Sequence, residues 1–165
     1  MPGKKATLYM FCGKIAAGKS TLAATLAATN QAVLIAEDAW LSALFSHELS
    51  SAKDYMRCAS RLRKVMGPHV ATLLKTGVSV VLDFQANTIE SRAWMRRIVE
   101  ETGANNQLHV LSPPDEVCLS RLRARNAIGE HPFSVSDEQF HEVSRYFVPP
   151  TEDEGFTLVI HDDTA

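Results

Sequence analysis

The chain has 165 residues, which sets the expectation of one domain over 1–165 with a core that needs no staples. Hydrophobic residues make up 45% and charged residues 22%, ordinary values for a soluble globular protein. The formal net charge is −2, so no broad positive field draws the chain onto nucleic acid or an anionic membrane. The three cysteines, Cys12, Cys58 and Cys118, are widely spaced and read as small packing residues in a reducing, cytoplasmic setting. Met1–Lys5 has no apolar h-region behind it, and the apolar run that follows stops at Gly13, too soon for a membrane span.

Taken in chain order, short apolar runs alternate with helical stretches, the pattern of an α/β protein with a parallel sheet. Thr7–Cys12 reads as a buried strand, Lys19–Ala28 as an Ala- and Leu-rich helix, and Ala32–Ala36 as a second strand. A short helix is expected over Ala39–His47. A longer one over Asp54–Thr76 is expected to kink or break at Gly67-Pro68. Val78–Leu82 is the third strand, followed by a helix over Thr88–Glu101 with Thr88 as N-cap. Gln107–Leu111, a helix at Pro114–Asn126, a helix at Ser136–Phe147 and a strand at Phe156–Ile160 complete the series. Ala127–Ser136, with Gly129 and Pro132, is the expected mobile loop.

The most specific signal is Gly13-Lys14-Ile15-Ala16-Ala17-Gly18-Lys19-Ser20, a G-x-x-x-x-G-K-[ST] loop between a strand and a helix. In such a loop successive backbone N–H groups and the helix dipole cradle phosphates. Lys19 is then expected to reach the β- and γ-phosphates of ATP, Ser20 to ligate Mg²⁺, and Thr21 to lie beside them in the first helical turn. The competing reading is a glycine-rich turn that only joins strand to helix. No N-K-x-D guanine-reading motif is present, which favours ATP over GTP.

Asp38 sits just past the second strand, at the sheet edge where ligands bind in open parallel sheets. It is a candidate base for an acceptor hydroxyl, and equally a candidate N-cap for a helix starting at Ala39. Glu37 is the rival carboxylate. Asp83 follows Val78–Leu82 and fits a Walker-B carboxylate that supports Mg²⁺ and Ser20, or an ordinary strand-end turn residue. Arg121 and Arg125 share a helix face, either to stabilise a transferring phosphoryl group or as a solvated basic stripe. Arg57, Arg61, Arg63 and Lys64 on the long helix read first as a solvated face. Trp40, Phe45, Phe84 and Trp94 read first as core or rim packing.

These residues together resemble the P-loop kinase group that includes polynucleotide 5′-hydroxyl kinases, chloramphenicol phosphotransferase and zeta-toxin-like kinases. Small bacterial proteins labelled AAA-type ATP-binding or predicted kinases are similar too. The likeness runs through Gly13–Ser20, Asp38, Val80–Asp83 with Glu90-Ser91-Arg92, Cys118–Asn126 and Tyr146–Glu154. It implies a three-layer fold with five parallel strands in the order 2-3-1-4-5 and a helical lid near 119–136. It implies phosphate and magnesium binding by Lys19 and Ser20, a base at Asp38, a lid arginine at Arg125 with Arg121 as second candidate, and adenine near Pro149–Glu154. Two departures stand out. Ala39–Ser42 lacks the arginine that polynucleotide kinases carry after the base, and Asp83-Phe84-Gln85-Ala86 replaces their polar D-x-T-N run. The expectation is an ATP- and Mg²⁺-dependent kinase of a small-molecule hydroxyl, acting as a monomer or homodimer. Its rivals are a polynucleotide or RNA-end kinase and a non-catalytic ATP-binding switch.

Overall fold

The computed structural model describes residues 5–129 and 133–161. Five strands, β1 (Thr7–Cys12), β2 (Val33–Ala36), β3 (Val80–Gln85), β4 (Asn105–Leu111) and β5 (Leu158–His161), form one sheet. Every pairing is parallel and the order is β2-β3-β1-β4-β5, as the resemblance implied. Parallel strands carry helices on both faces, and the buried residues divide accordingly. Leu8, Met10 and Cys12 of β1 face one core with Leu62, Met66 and Val70 of α3 (Ala52–Lys75) and Met95 and Ile98 of α4 (Ile89–Thr102). The alternate residues Tyr9 and Phe11 face Ala23 of α1 (Lys19–Asn30). Helices α2 (Glu37–Phe45), α5 (Asp115–Ile128) and α6 (Asp137–Ser144) complete the α/β layers.

Several elements depart from their expected bounds. The long helix does not break at Gly67-Pro68. Pro68 removes one backbone bond on an exposed face, while buried Cys58, Ala59, Leu62, Met66, Val70, Ala71 and Leu74 hold both halves to the core. Gly67 is used for closeness: a Cβ there would lie 3.2 Å from Trp94 Nε1 on α4. Helix α2 begins at Glu37 with Ala36 as N-cap and no side-chain cap. Asp38 is therefore not the cap of a helix starting at Ala39. Thr88 does cap α4, accepting from the Ser91 N–H at 3.1 Å.

Strand β3 runs past Asp83 to Gln85, and β5 begins at Leu158. Tyr9 pairs with Val81 but Phe11 pairs with Gln85, so β3 carries extra residues at a bulge beside the site. Of the expected mobile loop, α5 takes in residues to Ile128, Ser136 caps α6, and 130–132 lie outside the described residues. No helix among the described residues is long and apolar enough to cross a membrane.

Candidate active site

All strands point their carboxyl ends the same way, so the segments after β1, β2, β3 and β4 meet on one side of the sheet. The loop after β1 is pinned from two directions. The Gly13 N–H donates to Asn87 Oδ1 at 2.8 Å, and Asn87 Nδ2 donates back to the Gly13 carbonyl at 2.8 Å. A Cβ on Gly13 would stand 2.8 Å from the Leu111 carbonyl oxygen, so the loop's first residue must be glycine. Ala16 and Gly18 take positive φ, 62° and 105°, which turns the loop back around its own amides. Between them the Ala17 N–H donates to the Lys14 carbonyl at 3.0 Å. Half-buried Ile15 packs with Ala17, Leu111, Cys118 and Leu122. Lys14 itself pairs with Asp115 at the start of α5.

Lys19 opens α1, and its ammonium donates to the carbonyls of Gly13 and, at 3.0 Å, Lys14. Burial pushes its pKa down to about 8, opposed chiefly by Asp83 and more weakly by Cys12, Cys118 and Asp38. Ser20 and Thr21 follow in a first turn that holds no acidic side chain of its own. The Ser20 hydroxyl donates to Asp83 Oδ2 at 2.9 Å. Asp83 lies level with Ala36 of the neighbouring strand, so the two carboxylate-bearing segments after β2 and on β3 are adjacent. Ser20 and Asp83 supply hard oxygen donors of the kind magnesium takes.

Asp38 lies in the first turn of α2. The Tyr55 hydroxyl on α3 contacts Asp38 Oδ1 at 2.9 Å and Glu37 Oε1 at 3.3 Å. Glu37, the rival carboxylate, is buried and turned toward Arg63, whose Nε lies 3.4 Å from Glu37 Oε2. Burial raises its pKa to about 7, against the pull of Arg63. So the two neighbouring acids have different surroundings: Glu37 is packed away and Asp38 stays half-buried at the mouth. Arg63 is not a solvated residue of the long helix. It donates to Ser91 Oγ at 3.0 Å and lies over the Trp94 and Phe84 rings.

The arginines of α5 separate by role. Arg121 Nη1 donates to the Ala17 carbonyl at 3.2 Å, on the phosphate loop. Arg125 is half-buried, and burial lowers its pKa while the Asp38 charge raises it. Its Nε is a buried donor with no hydrogen-bond acceptor among the described residues. Arg123 faces away, in an exposed pair with Asp137. The site thus brings together Lys19, Ser20, Asp83, Asp38, Arg121 and Arg125.

The 148–154 segment is held by Arg92, only 1% exposed, which donates to the carbonyls of Ala86 and Val148, each at 2.8 Å, and to Glu154 Oε2 at 2.6 Å. The Val148 N–H donates to the Asn87 carbonyl. A cleft of about 230 Å³ opens beside it, lined by Lys14, Leu111, Ser112, Pro113 and Phe147. Asn87, Tyr55 and the role of Arg92 were not legible as site features in the sequence. After the bulge, Asn87 holds the phosphate loop and Thr88 caps α4.

A family model described as AAA domain matches residues 8–150. No curated protein matches the chain in sequence. Among solved structures, a Chloroflexus aurantiacus protein provisionally described as a kinase is similar over 98% of this chain and 87% of its own, with 22% identity and a TM-score of 0.76. A sugar kinase from Janibacter sp. is similar over 96% and 86%, with 15% identity and a TM-score of 0.67. The Mycobacterium tuberculosis APS kinase CysC, solved with AMPPNP and APS, is similar over 99% and 92%, with 20% identity and a TM-score of 0.64. At these identities the likeness establishes the P-loop fold.

Proposed function

The chain belongs to the AAA-domain family matched over residues 8–150, and we propose that it is a kinase moving the γ-phosphoryl group of ATP to a hydroxyl of a small molecule. The observation that carries this reading is the position of Asp38. It stands in the first turn of α2, directly after β2, where Ala36 lies level with Asp83, and the Tyr55 hydroxyl fixes it at 2.9 Å; its charge acts in the direction that favours the charged forms of Lys19 and Arg125. A loop that only binds nucleotide has no need of an acid so placed.

In this reading the amides of Gly13–Lys19 and the α1 dipole cradle the ATP phosphates, and Lys19 leaves its carbonyl contacts to reach the β- and γ-phosphates. Ser20 and Asp83 would hold Mg²⁺, which supplies charge neutralisation on the phosphates. Asp38 orients the acceptor hydroxyl and takes its proton as the oxygen attacks phosphorus. Arg121 and Arg125 donate to the equatorial oxygens, where charge accumulates. The cleft beside Lys14, Leu111–Pro113 and Phe147 takes the adenine. The absence of a basic residue in Ala39–Ser42 of α2 favours a small-molecule acceptor over a nucleic-acid end.

The test is ADP release from MgATP across a library of hydroxylated metabolites, with Asp38→Asn beside the wild type. The variant should bind ATP with unchanged affinity and lose about 100-fold or more in acceptor-dependent turnover, the usual range for a general base. Wild-type turnover in Asp38→Asn would remove the base. Transfer of label to a 5′-hydroxyl oligonucleotide would move the acceptor to nucleic acid. ATP binding with no acceptor-stimulated release anywhere in the library would leave a nucleotide-binding switch.

A further inference from the structure

Between Asp38 and Glu37 stands one phenol. Tyr55 Oη is 2.9 Å from Asp38 Oδ1 and 3.3 Å from Glu37 Oε1. A phenol has one proton, so it donates to only one of the two carboxylates. The shorter contact assigns that proton to Asp38. The Glu37 contact is then satisfied when Glu37 is the neutral acid and donates to Tyr55 Oη. The surroundings of Glu37 suit that form. Its side chain is almost wholly enclosed, and the charged or titratable groups facing it are Asp38 from α2 and Tyr55 and Arg63 from α3. Burial outweighs the single cation and holds the acid near neutrality, at about 7.

The arrangement is braced behind Glu37. Arg63 reaches Glu37 Oε2 with its Nε and Ser91 Oγ with its Nη1, while its guanidinium carbon lies 5.2 Å from the centre of the Trp94 ring. Ser91 Oγ in turn meets the Thr88 hydroxyl that caps α4. In front, the Phe133 ring meets Tyr55 edge-on at 5.6 Å between centroids. A connected set of side chains therefore runs from the α4 cap through Arg63, Glu37 and Tyr55 to Asp38.

We propose that Tyr55 and Glu37 are positioning residues for Asp38: Tyr55 fixes one carboxylate oxygen of Asp38 by donating to it, and Glu37, anchored by Arg63, holds the Tyr55 proton in that direction. This rests on the reading of Asp38 as the base.

The test uses the full chain labelled with ¹³C in its Asp and Glu carboxyl groups, together with ADP-release kinetics on whichever library acceptor is turned over. In the wild type, Glu37 should titrate near neutral pH and the Asp38 resonance should follow it. Tyr55→Phe should break that coupling, lower kcat about 10- to 100-fold through misorientation, and leave the KM for ATP unchanged. Glu37→Gln should keep the rate, because an amide both donates to Tyr55 and accepts from Arg63, and should lose the neutral inflection of the pH–rate profile. Glu37→Leu, which fills the space without a donor, should fall as far as Tyr55→Phe. Wild-type kcat in Tyr55→Phe, or an Asp38 resonance still following Glu37 in that variant, overturns the positioning role alone. Failure of the wild type to bind ATP or to turn over any acceptor overturns the kinase reading and the proposal with it.

Discussion

Asn87 holds the phosphate loop through a single side chain that both accepts from and donates to Gly13. The groups are buried, so truncation leaves an N–H and a carbonyl without partners. Asn87→Ala should cost about 2–4 kcal/mol of stability, read by denaturant unfolding. It should also weaken ATP binding by roughly tenfold in calorimetry, because the loop's first amide loses its fixed direction. Asn87→Asp keeps the acceptor but sets a carboxylate oxygen against the Gly13 carbonyl beside the phosphate loop, so its losses should be at least those of alanine. The residues of Gly13–Ser20 were readable from sequence because the phosphates are held by consecutive backbone amides, a local requirement. Asn87 was not, because its contact with Gly13 spans 74 residues and depends on how the chain leaves the bulge on β3. Asp38 and Glu37 could not be ranked from spacing alone. What separates them is the packing of Arg63 and Tyr55 from another helix.

Among the elements, the junction after β3 depends on Arg92. It joins α4 to the Ala86 carbonyl, the Val148 carbonyl and Glu154 of the short 3-10 turn at Glu152–Glu154, and so ties the last third of the chain to the loop that carries Asn87. Replacing a buried cation strands its carboxylate and two carbonyls. Arg92→Met should therefore destabilise the fold by about 3–5 kcal/mol, and Arg92→Lys should recover little, since a point ammonium cannot reach several acceptors as a planar fork does. Thermal unfolding of both variants decides this, and a stable Arg92→Met would refute it. Sequence periodicity gave the order and type of the elements, because burial on a regular strand or helix has a fixed period. Two local signals misled: α3 runs through Gly67-Pro68 without a break, and α2 starts two residues before Ala39. In the first case the buried face of α3 outweighs one missing backbone bond, and in the second the helix starts directly from the strand.

Across the whole molecule, two buried groups on different elements act in opposite senses on stability between about pH 4.5 and 6.5. Glu37 has its pKa raised by burial to about 7 from an ordinary 4.5. The folded chain then holds a proton that the unfolded chain has released, so its contribution falls as pH rises through that window. His109, buried on β4 against Phe11 and sharing ring-nitrogen contacts with Gln107 and His161 of β5, has its pKa lowered by burial to about 4 from an ordinary 6.5. Here the unfolded chain holds the extra proton, so stability rises with pH over the same window. The acids held low by hydrogen bonds and ion pairs, Glu154, Asp137 and Asp54, act mainly below this window. The two slopes largely cancel, and the wild-type melting temperature should change little from pH 5 to 6.5. Each substitution should expose the other slope. Glu37→Gln should melt progressively lower as pH falls, by roughly 2–6 °C across the window, and His109→Gln should melt lower as pH rises by a similar amount. Calorimetric scans of the three proteins at four pH values check both signs at once. A wild type that already slopes steeply, or two variants that slope the same way, would show that the groups do not oppose each other.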